Sequence, residues 1–287
     1  MKSQSQHFDP RQIMQGSHFE IFHYKEPRPD AVEVHHHDFY EVYFFLGGTV
    51  EYWVDGKTFR LDPGDLLLIN PMELHRPIVT GTDKVYERIV LWINKEYLEK
   101  LSTDTMNLAG CFDNSLPTHT NFIHPKTVER TALTTRLNEL IRETYGNAPG
   151  NDLYAHGLFL QFMVELNRLA KHAPKVRAIK DDSSDLVQQT LSYINEHFSE
   201  ELSLENIAGN FYVSKYHLSH AFSSEVGVSI YRYIMLKRLT NACQLLLDGK
   251  AAKEVCALCG FSDYTSFFRA FKNEYGLSPR DFTSVST

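Results

Sequence analysis

Three histidines and one glutamate have the residue types and the spacing that chemistry at a buried site requires. His35, His37 and Glu41 follow the pattern H-x-H-x3-E, and His75 comes later in the chain. Imidazole nitrogens and carboxylate oxygens bind iron, manganese, nickel or zinc. The same groups form hydrogen bonds with polar organic molecules. The pattern therefore predicts either a pocket for a small organic molecule or a metal centre, and structural hydrogen bonding is a third interpretation.

The residues around this pattern favour short β-strands. Between His18 and Trp92 the apolar residues follow a period of two, and Gly47-Gly48 and Asp55-Gly56 are typical of tight hairpin turns. The predicted strands are 19–24, 41–46, 49–54, 57–61, 66–70 and 85–93. Alternation along a strand would place residues 35, 37, 41 and 43 on one face. Short strands at this spacing predict a β-sandwich or barrel.

This stretch resembles the two motifs of the cupin family, a small jelly-roll β-barrel. Gly48 closes the first motif, and the second runs from Pro63-Gly64-Asp65 through Asn70-Pro71 to His75. The resemblance implies a cupin-like barrel over about residues 16–94. In metal-binding cupins the corresponding ligands would be His35, His37, Glu41 and His75. We expect an organic effector and no cofactor, held by His35, His37, Glu41, Tyr43, His75 and Arg88, with a sugar or a related polar metabolite as the predicted class.

The C-terminal part of the chain contains one pattern written twice. Two segments that begin 49 residues apart align without a gap, and each has a capping residue, an apolar stripe and a terminating glycine. The matched pairs include Ser214 and Asp263, Glu205 and Glu254, Ala208 and Ala257, and Gly227 and Gly276. A short helical segment precedes each capped helix. The sequence therefore predicts two helix-turn-helix motifs, joined by a long helix over residues 230–247.

The outward faces of the two capped helices carry side chains suited to contacts with DNA. On the first helix they are Ser214, Lys215, Tyr216, Ser219, His220 and Ser223, and on the second Tyr264, Thr265, Phe268, Arg269 and Lys272. A basic footprint is not evident, since residues 185–287 hold 9 lysines and arginines against 11 aspartates and glutamates, a net charge of −2. We therefore expect weak non-specific binding by the isolated C-terminal domain, and tight binding that needs both helix-turn-helix motifs and a dimer.

Residues 202–282 resemble the DNA-binding domain of the AraC/XylS family of bacterial transcription regulators. The residues that carry the second motif of the family are Gly260, Phe261, Asp263, Phe267, Arg269, Phe271, Lys272, Gly276, Ser278, Pro279 and Phe282. The first copy has His220 and Ser223 where the family usually has arginine and then lysine. The resemblance implies a regulator that binds double-stranded promoter DNA, more commonly an activator, which would also contact RNA polymerase.

Between the barrel and the repeated segments, the apolar residues recur at the spacing that is typical of helices. Residues 127–145 and 153–169 are predicted helices, separated by Gly146-Asn147-Ala148-Pro149-Gly150. Within residues 95–170 we expect this pair to cover the barrel and, as the family resemblance implies, to form a homodimer. Residues 171–184 are polar and contain Pro174, which predicts a linker. The predicted domains are therefore residues 1–170 and residues 185–287.

Composition limits the class of protein. A chain of 287 residues with 43% hydrophobic residues suits two folded domains. It has no apolar run long enough to span a membrane, and residues 1–15 lack the apolar core of a signal peptide. The four cysteines Cys111, Cys243, Cys256 and Cys259 do not form a disulfide framework, and we expect Cys256 and Cys259 to pack inside the fold. These features predict a cytoplasmic protein that has no contact with membranes.

The predicted fold is a multidomain α+β architecture, with a cupin-like jelly-roll barrel and flanking helices followed by an all-α domain with two helix-turn-helix motifs. Two functions compete for it. One is a transcription regulator that responds to a small molecule and has no enzymatic activity. The alternative is a cupin metalloenzyme, a dioxygenase or isomerase, fused to a DNA-binding module. The second function would need the four candidate ligands to meet at one metal ion.

Overall fold

The computed structural model describes residues 12–27, 32–80, 85–116, 119–174 and 185–285. The chain divides into two compact units, with the division between residues 179 and 180. Most of the predicted linker therefore lies outside the described residues, because residues 175–184 are not among them. No helix in the described ranges has the length and apolar character that a membrane crossing requires.

The N-terminal unit is built from two antiparallel sheets. Its strands are β1 Phe19–Glu26, β2 Tyr40–Gly47, β3 Val50–Val54, β4 Lys57–Leu61, β5 Leu66–Ile69, β6 His75–Val79, β7 Tyr86–Ile93 and β8 Phe122–Ile123. The larger sheet has the order β1-β7-β2-β5-β8 and the smaller one the order β4-β3-β6. Asp55 and Gly56 form the β3–β4 hairpin with φ values of 44° and 93°, the left-handed conformations that such a two-residue turn needs.

The large sheet separates two hydrophobic cores because alternate residues of its strands point to opposite faces. One face packs with the small sheet and buries residues such as Tyr43, Phe45 and Val90. The other face packs against helices and buries Val42 and Leu91. These helices are α1 Lys95–Leu101, α2 Thr127–Thr144 and α3 Asn151–His172, with a short 3-10 turn at Gly110–Phe112. The first face forms the interior of the barrel, where the candidate site lies.

The C-terminal unit is entirely helical over its described residues. Its helices are α4 Asp185–His197, α5 Leu204–Asn210, α6 Lys215–Val226, α7 Ile230–Leu247, α8 Ala252–Leu258, α9 Tyr264–Tyr275 and α10 Pro279–Val285. The predicted caps are present: Ser214 accepts a hydrogen bond from the backbone N–H of His217, and Asp263 accepts one from that of Ser266. Gly227 and Gly276 are left-handed, so both capped helices end where the sequence predicts.

Two predictions about local structure are wrong. Strand β2 begins at Tyr40, so His35 and His37 precede it and do not share a strand face with Glu41 and Tyr43. Helix α3 continues to His172, two residues into the predicted linker, because residues 171 and 172 extend its last turn. The cysteine prediction agrees with the fold, since all four cysteines lie within the described residues, are buried and form no disulfide.

The alignment of the two repeats is also wrong upstream of the capped helices. Helices α5 and α8 begin 48 residues apart, whereas α6 and α9 begin 49 apart. The turn of the second unit is therefore one residue longer. Correspondingly, Val213 donates its backbone N–H to Ala208, and Phe261 donates to Cys256. Ala208 thus corresponds in space to Cys256 and not to Ala257.

Candidate functional site

Three of the predicted side chains meet inside the barrel. One nitrogen or oxygen from each of His37, Glu41 and His75 lies within 4.8 Å of the other two. The closest measured pair is His37 Nε2 and Glu41 Oε2, at 3.3 Å. All three residues are buried, with relative exposures of 3%, 4% and 0%. Residues from the segment before β2, from β2 and from β6 thus form one polar cluster inside the barrel.

His35 reaches this cluster by a route that differs from the prediction. It forms an isolated β-bridge with His75, with backbone N–H to O distances of 3.1 and 3.0 Å in the two directions. Its ring lies 4.3 Å from the ring of His75, measured between centroids. Its side chain is not in the group of three that share close donor atoms. The bridge therefore positions His75 at the start of β6.

The three imidazoles are held in one orientation by the backbone. Each Nδ1 lies 2.8 to 3.0 Å from a carbonyl oxygen, and a carbonyl can only accept, so Nδ1 carries the proton. Burial lowers the pKa of His35 to about 4 and that of His37 to about 3. Burial also lowers the pKa of His75 well below its usual range. The rings are therefore neutral at pH 7, with the lone pair on Nε2.

Arg88 and Tyr43 belong to a second part of the same interior. The Arg88 guanidinium lies over the rings of Tyr24 and Tyr86, 4.6 and 4.2 Å from their centroids. Its Nη2 donates to Glu26 Oε1 at 2.8 Å, and its Nη1 is buried without a hydrogen-bond partner. Tyr43 and Tyr86 share a short hydroxyl–hydroxyl hydrogen bond. This part of the barrel thus offers a hydrogen-bond donor between two aromatic faces.

Trp92 is a site residue that the sequence prediction missed. Its indole Nε1 donates to Glu41 Oε2 at 2.9 Å and so fixes the carboxylate in the cluster. Glu41 and Trp92 are paired in the β2–β7 register, which brings them together across the sheet. Alternation along residues 86–93 places Tyr86, Arg88 and Trp92 on one strand face and would have been the signal. Phe22 and Phe39 pack against the indole, with centroid distances of 4.9 and 4.7 Å.

A polar cavity of about 360 Å³ opens beside the strand that carries His75. Glu73 lies in its lining, and the carbonyl of the same residue accepts the Nδ1 proton of His75. Asn121 donates its side-chain amide to the Glu73 carboxylate at 2.9 and 3.0 Å. The remaining lining residues are Val54, Asp55, Lys57, Asn114, Leu116 and His119. The cavity therefore adjoins the cluster through one hydrogen-bonded residue.

The outward face of α6 is accessible and mostly polar, with Ser214, Tyr216 and His220 exposed and Lys215, Ser219 and Ser223 half-buried. Tyr216, Ser219, His220, Ser223 and Ser224 line an open surface groove of about 590 Å³. The tyrosine is 78% exposed. Lys215 is the basic residue of the face, and its Nζ lies 2.5 Å from the carboxylate of Glu205. The predicted residues thus share one accessible surface, with its positive charge partly compensated.

The outward face of α9 differs in charge. Arg269 and Lys272 are exposed, as are Tyr264 and Thr265, whereas Phe268 is half-buried. The side chains of Arg269 and Lys272 form no ion pair or hydrogen bond with another described residue. By contrast, Arg232 forms a two-point ion pair with Glu274, at 2.7 and 3.1 Å. Two basic side chains of the second face are therefore available to a partner.

Arg238, which the charge count could have placed on the DNA-facing surface, is used internally. Its guanidinium donates to the carbonyls of Phe198 and Glu200, each at 2.7 Å. The α4–α5 loop is thus tied to α7. This same loop supplies Ser199, whose carbonyl packs against Gly260 in the second turn. Arg238 is therefore held by backbone carbonyls of its own unit, unlike Arg269 and Lys272 on α9.

Comparison with known proteins identifies both units. A family model for the AraC-like ligand binding domain matches residues 19–163, about half of the chain, and one for a helix-turn-helix domain matches residues 207–284. A protein from Escherichia coli O139:H28, described as "HTH-type transcriptional activator RhaS", is 24% identical over 260 residues. That alignment covers 89% of this chain and 88% of the relative.

Two solved structures are also similar to the chain. The C-terminal domain of AraT, a response regulator from Geobacillus stearothermophilus, is 31% identical, covers 36% of this chain and 86% of its own, and has a TM-score of 0.35. The unsaturated fatty acid bound wild-type ToxT from Vibrio cholerae is 12% identical, covers 95% and 97%, and has a TM-score of 0.40.

The family assignment settles the choice between the two predicted classes. The matched domains are a ligand-binding domain and a DNA-binding domain, and the relative of similar length is a transcriptional activator. They support a regulator, and the alternative of a metalloenzyme fused to a DNA-binding module is set aside. The chain therefore belongs to the AraC family of transcriptional regulators, with an AraC-like ligand binding domain followed by a helix-turn-helix domain.

Proposed function

We propose that this regulator binds promoter DNA by placing α6 and α9 in successive major grooves of one duplex. The observation that carries the proposal is the matched pair of capped helices with exposed polar faces. Helix α7 has 18 residues and is therefore about 27 Å long. A stiff connector of this length suits two recognition helices that are about one turn of DNA, 34 Å, apart. Promoter binding places the protein in the cytoplasm.

The effector in this proposal is a polar small molecule, sugar-like in its hydroxyl groups, bound inside the barrel. Arg88 supports it, because the buried Nη1 lacks a hydrogen-bond partner and a hydroxyl or carbonyl oxygen would satisfy it. The rings of Tyr24 and Trp92 supply partly exposed aromatic faces on the same side of the sheet. Aromatic faces beside a few convergent polar groups are typical of sites for such ligands.

A homodimer through the α2–α3 region is part of the same proposal. Four apolar or aromatic side chains on or beside these helices are strongly exposed, and they are Val128 at 81%, Leu153 at 74%, and Tyr145 and Tyr154 at 61% each. A Cβ added at Gly157 of α3 would have no heavy atom within 4 Å, so a partner helix could approach closely there. Exposed apolar patches on helices are typical of protein interfaces.

Activation is the proposed direction of control, with RNA polymerase as the further partner. The relative described as a transcriptional activator supports this direction. The effector would act by binding one arrangement of the regulator more tightly than another, because a ligand shifts a conformational equilibrium only through such a difference in affinity. A promoter–reporter assay in cells with and without the chain tests the direction. Increased transcription is expected, and decreased transcription would make the protein a repressor.

The effector site is tested by thermal-shift screening of sugars and small hydroxy acids against the full-length chain. A ligand that binds the native state raises the melting temperature. The variant Arg88→Gln should lose this shift and the effector response of the reporter, while promoter binding without effector persists. Arg60→Gln is the matched control, since Arg60 lies on the exposed side of β4. An unchanged shift in Arg88→Gln would place the effector elsewhere.

A further inference from the structure

We propose that Tyr212, in the turn between α5 and α6, donates a hydrogen bond from its phenol to a phosphate of the promoter, beside the groove that α6 enters. Tyr212 lies three residues before α6 begins at Lys215, so it is outside the helix face described above. The inference rests on the proposed placement of α6 in a major groove. It adds a contact with the DNA backbone to the contacts that the helix itself makes.

The backbone of the turn holds Tyr212 in the left-handed region, with a φ of 56°. Its N–H donates to the carbonyl of Gly209 at 3.2 Å, and the N–H of Val213 donates to that of Ala208 at 3.1 Å. These two hydrogen bonds form a Schellman motif, which ends α5 and has a left-handed residue at the position of Tyr212. The tyrosine therefore cannot leave this conformation unless the turn itself changes.

Glycine occupies the corresponding position at the other helix ends of this unit. Within residues 185–285, the other left-handed residues are Gly227, Gly249, Gly260 and Gly276, and each comes one or two residues after a helix ends. A Cβ raises the energy of this conformation, which glycine adopts freely. The turn before α6 therefore accepts a cost in stability that the other four helix ends avoid.

The Tyr212 side chain gains little from the folded unit in return. It is 97% exposed, the highest value among the exposed large apolar and aromatic residues of the described ranges. A side chain with this exposure buries almost no apolar surface, so packing does not offset the strain. Backbone strain of this kind clusters where function uses it. A partner outside the fold therefore accounts for the tyrosine better than the fold does.

The position of the turn favours the DNA backbone as this partner. In a helix-turn-helix, the N-terminal residues of the recognition helix contact base edges, while the first helix crosses the sugar–phosphate backbone. The turn between the two helices therefore passes the edge of the groove, where the phosphates lie. Tyrosine hydroxyls are among the groups that donate hydrogen bonds to phosphate oxygens. A phenol at this point would fix the register of α6 on the duplex.

The charges of the first unit make a donor without positive charge useful there. Lys215 is the basic residue of the α6 face, and it is already paired with Glu205. In the second unit the turn has Gly260, and the α9 face has Arg269 and Lys272 for contacts with phosphates. The phenol of the first turn thus supplies a backbone contact in the unit that has fewer cations.

The test combines phosphate-ethylation interference with affinity measurements, on the full-length regulator and a genomic fragment selected by its own binding. Ethylation of one phosphate beside the α6 patch should weaken wild-type binding, and Tyr212→Phe should lose the sensitivity at that phosphate alone. The same variant should lower affinity about fivefold, since it removes one hydrogen bond to a charged group. The slope of log affinity against log salt should stay unchanged, because a phenol releases no counterion, whereas Arg269→Ala should reduce it by about one.

Two further variants separate a DNA contact from a structural role. Tyr212→Gly should weaken binding at least as much as Tyr212→Phe while it raises the melting temperature, whereas loss of a structural tyrosine would lower both. Tyr231→Phe is the matched control, because that tyrosine is 74% exposed on α7, on the side of Arg238. It should bind the promoter with wild-type affinity, and a fivefold loss there would contradict a contact specific to Tyr212.

Wild-type affinity and an unchanged interference pattern in Tyr212→Phe would overturn the inference. Reduced transcription in a reporter assay with unchanged promoter affinity would also overturn it, since the side chain would then contact a protein. If the wild-type footprint shows two patches, either result refutes the Tyr212 contact alone. A wild-type footprint with a single patch per chain would refute the placement of α6 and, with it, this inference.

Discussion

The first helix-turn-helix unit, α5 and α6, turns through a tyrosine, whereas the second, α8 and α9, turns through a glycine. Tyr212 has a φ of 56° and Gly260 a φ of 76°, so both occupy the left-handed region. The tyrosine is 97% exposed and its side chain extends away from the protein. A Cβ at Gly260 would lie 2.5 Å from the carbonyl oxygen of Ser199. The same backbone turn therefore tolerates a side chain in one unit and excludes it in the other.

The two helix-turn-helix units also differ in charge. Lys215 on α6 is paired with Glu205, and the rest of that face is polar and uncharged. Arg269 and Lys272 on α9 have free side chains among the described residues. Cationic side chains supply most of the electrostatic affinity for DNA, and arginine also makes the commonest specific contact with guanine. We therefore propose that α9 contributes more to DNA affinity than α6, whose face carries fewer cationic side chains.

The largest effect is expected where the second turn contacts the α4–α5 loop. Gly260→Ala places a Cβ against a backbone carbonyl and in a left-handed conformation, so the free energy of unfolding should fall by about 2 to 4 kcal/mol. Thermal denaturation of the full-length chain, followed by circular dichroism, measures the change. Gly209→Ala is the matched control, because nothing lies within 4 Å of a Cβ at that helical glycine and alanine favours helix.

An unchanged melting temperature in Gly260→Ala would mean that the α4–α5 loop moves aside without cost. That result would contradict the proposed difference between the two turns, in which the turn at Gly260 excludes a side chain and the turn at Tyr212 accepts one. A stability loss in Gly209→Ala as large as in Gly260→Ala would also contradict it, since the control adds the same methyl group in open space.

The next effect is on DNA affinity. Arg269→Ala should weaken promoter binding about tenfold or more, since losing one good arginine contact costs roughly 1 to 3 kcal/mol. His220→Ala, the matched change on α6, should weaken it by about threefold or less, because an imidazole offers fewer hydrogen-bond donors than a guanidinium. Gel-shift titrations at one salt concentration measure both. Equal losses of affinity in the two variants would contradict the proposal that α9 contributes more to DNA affinity than α6.

The smallest effect concerns the exposed tyrosine of the first turn. Tyr212→Gly should raise the free energy of unfolding by roughly 0.5 to 1 kcal/mol, because relief of the left-handed strain exceeds the extra entropy of glycine in the unfolded chain. The melting temperature of the full-length protein reports it. A lower melting temperature would show that the tyrosine ring stabilises the unit despite its exposure.

Local signals in the sequence predicted the helical unit well. Helix α7 begins at Ile230 and ends at Leu247, the predicted bounds, because Ser229 caps its first turn and a left-handed Gly249 follows its end. The extra residue in the second turn was missed, since the capped helices align without a gap and their alignment does not show the length of the turn before them. Strand β6 was missed because it contains Pro77, which is tolerated at the edge of the small sheet.

The sequence identified the residues of the candidate site but did not predict how they are arranged in space. His37, Glu41 and His75 were identified from their residue types and their cupin-like spacing, and their convergence depends on strand pairing far along the chain. The bridge between His35 and His75 joins segments 40 residues apart, and the β2–β7 register brings Trp92 to Glu41. Register across distant strands is set by the packing of the whole barrel, so periodicity alone could not reveal these contacts.

The most direct test of two recognition helices on one duplex is hydroxyl-radical footprinting of the full-length regulator on a genomic fragment selected by its own binding. The account predicts two protected patches per chain on the same face of the duplex, about 34 Å apart. Arg269→Ala should lose protection at one patch more than at the other. A single patch per chain, or two patches on opposite faces of the duplex, would contradict the account.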